Sequence, residues 1–232
     1  MRSALLVGAS GLIGRHCLDV LLKDEAYSKV TIFVRKTLGI RHAKLQEKIV
    51  DFDQLEYHAS LTKVNDVFCC IGTTIKQVGT KEKFYKVDFS YPYNLAAIAF
   101  REGAGQFLIV TALGASSKSG IFYNRVKGNV EEAVSALKFK AIHIFRPSLL
   151  LGNRNEFRAG EKIGMILFRL FSFILIGRWR KYRAIQASVV AQAMVTIAKL
   201  DLQGIRTYES DVIQAIFDEH MKTKTKPQRA QS

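Results

Sequence analysis

The sequence predicts an α/β fold in which a mostly parallel sheet is doubly wound, with helices on both faces. Apolar, β-branched runs alternate with segments of helical period along the 232 residues. The first run passes directly into a glycine turn and then a helix, in the stretch LLVGASGLIG. Several later runs are short and continuously apolar, as strands are when helices cover both faces of a parallel sheet. We therefore expect one domain over 1–221, with 153–186 as a small C-terminal lid or substrate-binding insertion.

The first glycine turn predicts a dinucleotide site. Gly8, Gly11 and Gly14 separate the strand from the helix. One glycine allows a tight turn, another lets a pyrophosphate approach the backbone, and the third lets helix and strand pack closely. The helix N-terminus adds free N–H groups for the phosphates. The alternative is a glycine-rich turn without a ligand. Contacts are expected at Gly8, Ser10, Gly11, Leu12, Ile13 and Gly14.

The residues after the second strand predict the choice of cofactor. Lys29 to Val34 is a β-branched run that leads into Arg35 and Lys36. In a nucleotide-binding fold this position lies near the adenosine ribose. An acid there would bind the 2′-hydroxyl of NAD, whereas an arginine suits the 2′-phosphate of NADP. The sequence therefore favours NADP(H) over NAD(H), unless the basic pair merely ends a strand.

The remaining strands and helices continue the alternation. A third strand, Lys48 to Val50, is followed by Asp53, which is expected to cap the next helical turn. A fourth, Val64 to Ile71, leads to a second glycine turn at Gly72 and Thr73, beside the cofactor. The other predicted elements are a helix from Thr80 to Glu102 interrupted near Pro92, a strand from Gln106 to Val110, an amphipathic helix through Leu137, a strand from Ala141 to Arg146, a helix from Ala187 to Lys199, a strand from Arg206 to Glu209, and a helix that Ser210 caps and that ends at about His220.

Tyr123 and Lys127 form a second constellation. They are four residues apart on a helical segment and therefore lie on one face. Tyrosine titrates at about pH 10 and transfers protons poorly at neutral pH, but a lysine cation beside it stabilises the phenolate. Such pairs arise readily by chance. This pair follows the fifth strand, and the carboxyl ends of the strands form the ligand crevice. Its position therefore indicates a role at the ligand site.

Charge and cysteine content narrow the class of protein. The formal net charge of +15 is concentrated between Arg154 and Arg183 and in the tail from Lys222, which is expected to be disordered. It is compatible with an anionic membrane or an acidic partner, and no nucleic-acid-reading motif accompanies it. The cysteines form no CxxC and the histidines show no ligand spacing, so we expect a reducing compartment and no metal site. Because the N-terminus lacks a signal-peptide pattern, we expect a cytoplasmic protein.

Four motifs together carry a family resemblance. GASGLIG, CCIGTT, YNRVKG and FRPSLLLG, in this order, closely resemble the atypical short-chain dehydrogenase/reductases, and specifically their Tat-interacting-protein-like branch. The resemblance implies that Tyr123 is the general acid/base and that Lys127 binds the nicotinamide ribose and tunes Tyr123. The implied contacts outside the first glycine turn are Arg35 and Lys36 at the 2′-phosphate, Asp51 and Phe52 at the adenine, Cys70, Ile71, Gly72 and Thr73 on the ribose side, and Thr111, Tyr123, Lys127 and Pro147 around the nicotinamide.

One position departs from the family pattern. The family's catalytic serine is replaced here by Thr111, which is followed by Ala112. Thr111 keeps a hydroxyl that can bind a substrate carbonyl, and Ser116 or Ser117 could serve instead. The resemblance implies an NADP(H)-dependent oxidoreductase acting on a carbonyl or alcohol substrate. The alternative is an NADPH-binding regulatory or scaffold protein that uses its basic C-terminal half to contact a partner or a membrane.

The stretch from Gly164 to Gly177 is the most apolar of the C-terminal half, and RWRKYR follows it. It is too short to cross a bilayer and carries Arg169 in its middle. We expect a hairpin arm with three possible roles. It closes over the substrate pocket or packs in the core, forms a homodimer contact, or dips into a membrane interface.

Overall fold

The structure is a computed structural model, and it describes residues 1–152 and 177–225. Its strands are β1 (Arg2–Val7), β2 (Tyr27–Val34), β3 (Leu45–Ile49), β4 (Asp66–Cys69), β5 (Gln106–Val110), β6 (Ala141–Arg146), β7 (Leu150–Leu151), β8 (Ile185–Gln186) and β9 (Gly204–Glu209). Its α-helices are α1 (Leu12–Lys23), α2 (Ile75–Val78), α3 (Lys81–Tyr85), α4 (Tyr91–Arg101), α5 (Phe122–Ser135), α6 (Ala187–Ala198) and α7 (Ser210–Thr225). Phe52–Thr62 and Gly177–Tyr182 are 3₁₀ helices, and Lys86–Ser90 is a π-helix.

Seven strands form one parallel sheet in the order β3-β2-β1-β4-β5-β6-β9, and β7 pairs with β8 outside it. The strand order reverses between β1 and β4. At such a point the following connections leave in opposite directions and open a crevice at the carboxyl ends of the strands. The doubly wound parallel fold is confirmed.

Alternate residues of the central strands belong to two core layers. Leu6, Phe68 and Leu108 pack in the layer that contains buried residues of α1 and α6. Their neighbours in sequence, such as Leu5 and Val67, pack in the layer that contains buried residues of α4 and α5. Helices therefore cover both faces of the sheet, which explains why these strands are continuously apolar.

The predicted elements differ from the structure mainly at their ends. Strands β5 and β6 have the predicted bounds, whereas β3 begins and ends earlier than expected. Asp51, and not Asp53, is the N-cap, because its carboxylate accepts the N–H of Asp53 at 2.9 Å. The hydroxyl of Ser210 accepts the N–H of Ser148 at 2.7 Å. Helix α7 continues to Thr225, so the prediction of disorder from Lys222 is wrong for 222–225.

The predicted interruption near Pro92 takes the form of the π-helix Lys86–Ser90, between α3 and α4. A proline has no N–H and its ring crowds the carbonyl four residues earlier, which here belongs to Asp88. The helix widens by one residue per turn at that point. Pro92 thus accounts for an irregular turn centred on Asp88.

No helix within 1–152 and 177–225 combines the length and the hydropathy needed to span a bilayer. The apolar arm predicted over 164–177 lies outside the described residues except for Gly177, as does most of the 153–186 insertion. The described part of that insertion is the 3₁₀ helix Gly177–Tyr182, followed by β8.

Candidate active site

The first glycine turn is tightly packed at two of its three glycines. Gly8 has φ +89°, and a Cβ there would lie 2.5 Å from the backbone carbonyl of Cys70. A Cβ at Gly14 would lie 2.0 Å from the carbonyl oxygen of Gly8. Side chains at these positions would push β4 or α1 away from β1. Gly8 and Gly14 therefore hold the helix against the sheet, in the manner that a dinucleotide-binding turn needs.

Helix α1 presents its N-terminus to a cavity of about 440 Å³ above the sheet, which we call the cofactor cavity. Gly11 is the N-cap and makes no side-chain capping bond, and the first turn contains no acid. The first N–H groups of the helix are thus available to an anion, and the dipole favours a negative charge there. A pyrophosphate fits these residues. The cofactor cavity is lined, among the predicted contacts, by Ser10, Gly11, Leu12, Ile13, Cys70, Ile71, Gly72, Thr73, Thr111, Tyr123 and Lys127.

A further cavity of about 310 Å³ continues from the glycine turn towards β2. Arg35 lines it together with the rings of Phe33, Phe52 and Tyr91. The centroids of the Phe52 and Tyr91 rings lie 5.3 Å apart, so a pair of aromatic residues and a basic residue border the same cavity. This arrangement suits an adenine ring with a phosphate near its ribose.

Two residues predicted at this adenine end lie elsewhere. Asp51 is exposed and uses its carboxylate as the cap of the 3₁₀ helix Phe52–Thr62. Lys36 is exposed and lines none of the three cavities described for the chain. The family resemblance implied both contacts, but only the adjacent residues, Phe52 and Arg35, line this cavity.

Tyr123 lines two cavities at once. On one side lies the cofactor cavity, and on the other a cavity of about 610 Å³ that we call the substrate cavity. Pro147 lines the substrate cavity. The substrate cavity is bounded, among the described residues, by Ala112, Leu113, Gly114, Tyr123, Asn124, Arg146, Pro147, Ser148, Leu149, Lys181, Tyr182 and Glu209. Among the described residues, Tyr123 is the one that lines both the cofactor cavity and the substrate cavity.

Lys127 is buried and paired with a carboxylate that the sequence did not reveal. Its Nζ lies 2.7 Å from Oδ1 of Asp88, whose Oδ2 accepts the N–H of Thr73 at 2.9 Å. Burial by itself would lower the pKa of Lys127, but the Asp88 carboxylate and the nearby Tyr123 together raise it above the ordinary value. Lys127 therefore stays cationic inside the cofactor cavity, which Asp88 also lines.

The missed residue carried one signal in the sequence. Asp88 is an acid four residues before Pro92 in the predicted helix from Thr80 to Glu102. The position of Pro92 four residues later predicts a distortion of the helix there. Single-turn π distortions of this kind are frequent at functional sites. The identity of its partner, Lys127, was not predictable from either residue.

Thr111 occupies the cofactor cavity, but its hydroxyl is engaged. Its Oγ1 donates to Oε1 of Glu131 at 2.5 Å, and Arg146 clamps the same carboxylate through Nε and Nη2. A hydroxyl has one proton. In this structure Thr111 therefore has no proton to donate to a substrate carbonyl. The following residue, Ala112, lines the substrate cavity and has no hydroxyl.

The alternative serines do not take the place of Thr111. Ser116 is exposed and its Oγ accepts the N–H of Lys118. Ser117 donates to the carboxylate of Glu132. Neither serine is among the described residues that line the cofactor or substrate cavity.

Comparison with known proteins now decides the family. The profile of the NAD(P)H-binding family matches residues 8–150. The chain belongs to this family. It is also 34% identical over 198 residues to protein HTATIP2 of Rattus norvegicus, covering 84% of this chain and 80% of the rat protein. The Tat-interacting-protein-like branch inferred from the four motifs is thereby confirmed.

Fungal proteins are also among the relatives of this NAD(P)H-binding chain. It is 33% identical over 215 residues to the protein fmp52, mitochondrial, of Aspergillus fumigatus, covering 88% of this chain and 90% of that protein. Several further fungal relatives carry the same mitochondrial name. The prediction of a cytoplasmic protein is contradicted by these names. It rested on the lack of a signal-peptide pattern, and that pattern concerns secretion only.

Solved structures share the fold. The enzyme WbmH of Bordetella bronchiseptica, in complex with NAD+, has a TM-score of 0.67 at 15% identity and covers 98% of this chain and 82% of that one. A UDP-N-acetylglucosamine 4-epimerase from Methanobrevibacter ruminantium has a TM-score of 0.66 at 14% identity and covers 94% and 80%. At such identities the likeness establishes the architecture alone.

No group of three or more possible metal ligands occurs in the part of the chain that the structure describes.

Proposed function

We propose that the protein is an NADP(H)-dependent oxidoreductase of the short-chain dehydrogenase/reductase type, acting on a carbonyl or alcohol substrate. The observation that carries the proposal is the place of Tyr123 between the cofactor cavity and the substrate cavity. A proton-transfer group has to reach the substrate oxygen while the substrate carbon faces the nicotinamide. The position of Tyr123 supports this role, as does the buried Lys127, which also lines the cofactor cavity.

The chemistry divides between cofactor and chain. When bound, the dinucleotide supplies a hydride to the carbonyl carbon. Tyr123 donates its Oη proton to the carbonyl oxygen, so that the product is an alcohol and the residue is left as a phenolate. Lys127 stabilises that phenolate by its charge until solvent returns a proton. Asp88 holds Lys127 in place, and Asp88 is therefore a positioning residue.

Exchange of Tyr123 for phenylalanine tests the proposed chemistry. Tyr123→Phe keeps the ring but removes the hydroxyl, so turnover should fall at least about a hundredfold while NADPH affinity is unchanged. The measurements are NADPH oxidation with a panel of aldehydes, ketones and quinones, and fluorescence titration of NADPH. Retention of most of the activity by Tyr123→Phe would contradict the mechanism.

The preference for NADP(H) is supported by Arg35 in the adenine-side cavity. We expect NADPH to bind more tightly than NADH, and Arg35→Ala to remove about 1.5–3 kcal/mol of that preference, as a charge-assisted contact would. Lys36→Ala is the matched control, because Lys36 is the adjacent exposed cation and lines none of the cavities. Equal affinities for NADPH and NADH, or an equal loss in both variants, would refute this assignment.

A second function is favoured by the engaged hydroxyl of Thr111 and by Ala112. If neither position 111 nor position 112 offers a hydroxyl to the substrate carbonyl, the protein would bind NADPH with little turnover and act as a regulatory or scaffold protein. Tight NADPH binding without oxidation by any member of the substrate panel would support this function over the first. By likeness to the fungal relatives we further propose a mitochondrial location, which fractionation of cells that produce the protein would test.

A further inference from the structure

The 3₁₀ helix Gly177–Tyr182 carries an aromatic and basic surface that the proposed chemistry does not use. Trp179, the only tryptophan of the chain, is 57% exposed, and Tyr182 is 41% exposed. Their ring centroids lie 5.7 Å apart. Arg180 beside them is exposed and makes no ion pair with a residue of the described ranges. We call Trp179, Arg180 and Tyr182 the rim patch, because Tyr182 also lines the substrate cavity.

The rim patch is held firmly to the fold. Its helix packs on α7. The Nζ of Lys181 lies 3.1 Å from a carboxylate oxygen of Glu209, at the end of β9. The hydroxyl of Ser148 donates to the carbonyl of Arg183. Because its neighbours are fixed on two sides, the patch can meet a partner with little loss of conformational entropy.

The chemistry of the patch matches a lipid surface. Tryptophan and tyrosine are favoured at the boundary between acyl chains and headgroups, where the ring is apolar and the N–H or O–H stays hydrated. Arginine and lysine add attraction when the headgroups are anionic. The sequence 177–183 contains four basic residues and no acid, at Arg178, Arg180, Lys181 and Arg183. Because Lys181 is paired with Glu209, the described charge that is complementary to anionic lipid is centred on the exposed Arg180.

We propose that the rim patch docks the protein on an anionic phospholipid membrane. The rings of Trp179 and Tyr182 enter the headgroup boundary, and Arg180 contacts lipid phosphates. Because Tyr182 borders the substrate cavity, docking brings the mouth of that cavity against the lipid. The proposal does not depend on turnover, so it stands or fails separately from the proposed function.

The single tryptophan makes a direct test possible. Purified protein is mixed with vesicles of phosphatidylcholine alone, or of phosphatidylcholine with phosphatidylserine. The emission of Trp179 should shift to the blue with the anionic vesicles, and brominated acyl chains should quench it. Added salt should reverse both effects, because screening reaches about 8 Å at physiological ionic strength. Arg180→Glu should weaken vesicle binding at least about fivefold. Co-sedimentation reports on Trp179→Ala and Tyr182→Ala, which should bind more weakly.

Two control variants match these changes at other places. Lys140→Glu makes the same change of charge at an exposed residue before β6, at the opposite end of that strand from the substrate cavity. Tyr57→Ala removes a ring that is 82% exposed, in the 3₁₀ helix Phe52–Thr62. Both should bind vesicles as the unchanged protein does.

Four outcomes would overturn the proposal. The first is no shift of Trp179 emission with anionic vesicles at low salt. The second is an equal loss of binding in Lys140→Glu and Arg180→Glu. The third is a blue shift that rises with protein concentration in the absence of vesicles, which would indicate contact between two copies of the chain. The fourth is a shift with single-stranded RNA but not with vesicles.

Discussion

Two buried aspartates, one at the amino ends of the parallel strands and one near their carboxyl ends, have different surroundings. Asp66 begins β4 at the amino edge and accepts bonds from Arg2 at 2.7 and 2.8 Å, Tyr27 at 2.6 Å and Gln106 at 2.6 Å. Asp88 lies at the carboxyl edge and has Lys127 and the N–H of Thr73 as partners. Asp66 lines none of the three cavities, whereas Asp88 lines the cofactor cavity.

These different surroundings indicate a role in stability for Asp66 and a role in function for Asp88. The Asp66 cluster joins the four strands β1, β2, β4 and β5, and its carboxylate oxygens are saturated with donors, so its contribution is to hold the fold. The Asp88 carboxylate orients a cation that faces open space. Burying an ion pair carries a desolvation penalty, and such pairs are often found at functional sites. The proposed role of Asp88 is to keep Lys127 charged. The two clusters therefore predict different outcomes for the same type of mutation.

The largest effect is expected from Asp66→Ala. The free energy of unfolding should fall by about 3–5 kcal/mol, because Arg2, Tyr27 and Gln106 lose their acceptor in a buried place. Urea unfolding measures this. The control is Asp53→Ala, since Asp53 also pairs at 2.7 Å, with Lys86, but is half exposed. Its effect on the free energy of unfolding should be much smaller, because solvent screens an exposed ion pair. Similar losses in both variants would break the comparison.

The next effect is expected from Asp88→Asn, and it concerns function. Without the carboxylate the buried Lys127 should have a lower pKa, because burial then disfavours its charged form and Asp88 no longer offsets that effect. Turnover should then fall about a hundredfold, and NADPH affinity should decline as the pH rises through the lowered pKa. Turnover and NADPH titrations between about pH 6 and 9 test this. A pH-independent affinity equal to that of the unchanged protein would mean that Asp88 does not control Lys127.

The smallest effect is expected at His143, midway along β6 between the two edges. It is fully buried, its Nδ1 lies 3.0 Å from the hydroxyl of Tyr208, and burial lowers its pKa from 6.5 to about 4. The folded state thus favours neutral histidine, so its stabilising contribution is present above pH 6.5 and is lost as the pH falls towards 4. Between pH 6.5 and about pH 5 the unchanged protein should lose about 2 kcal/mol of its free energy of unfolding because of this histidine. The His143→Gln variant should not show that loss. Identical pH profiles of unfolding would contradict this.

The local part of the candidate site was predictable. The glycine turn places Gly8 where only a residue without a Cβ fits, and Tyr123 and Lys127 share one face of α5, because turn and helix geometry depend on residues a few positions apart. Arg35 lines the cavity of about 310 Å³ beside the glycine turn, whereas the adjacent Lys36 does not. A one-residue step after a strand reverses the direction of a side chain, and sequence alone does not resolve that step.

By itself the sequence determined the order of strands and helices, the position of the glycine turn and the membership of the family. Only the tertiary structure decided that Lys127 meets Asp88, that the Thr111 hydroxyl donates its hydrogen bond to Glu131, and that Tyr123 lines two cavities. Periodicity reports which face of an element is buried, and it is a property of neighbours in the chain. The partner on that face depends on how distant elements cross and stack, so it is settled only when the whole sheet has formed.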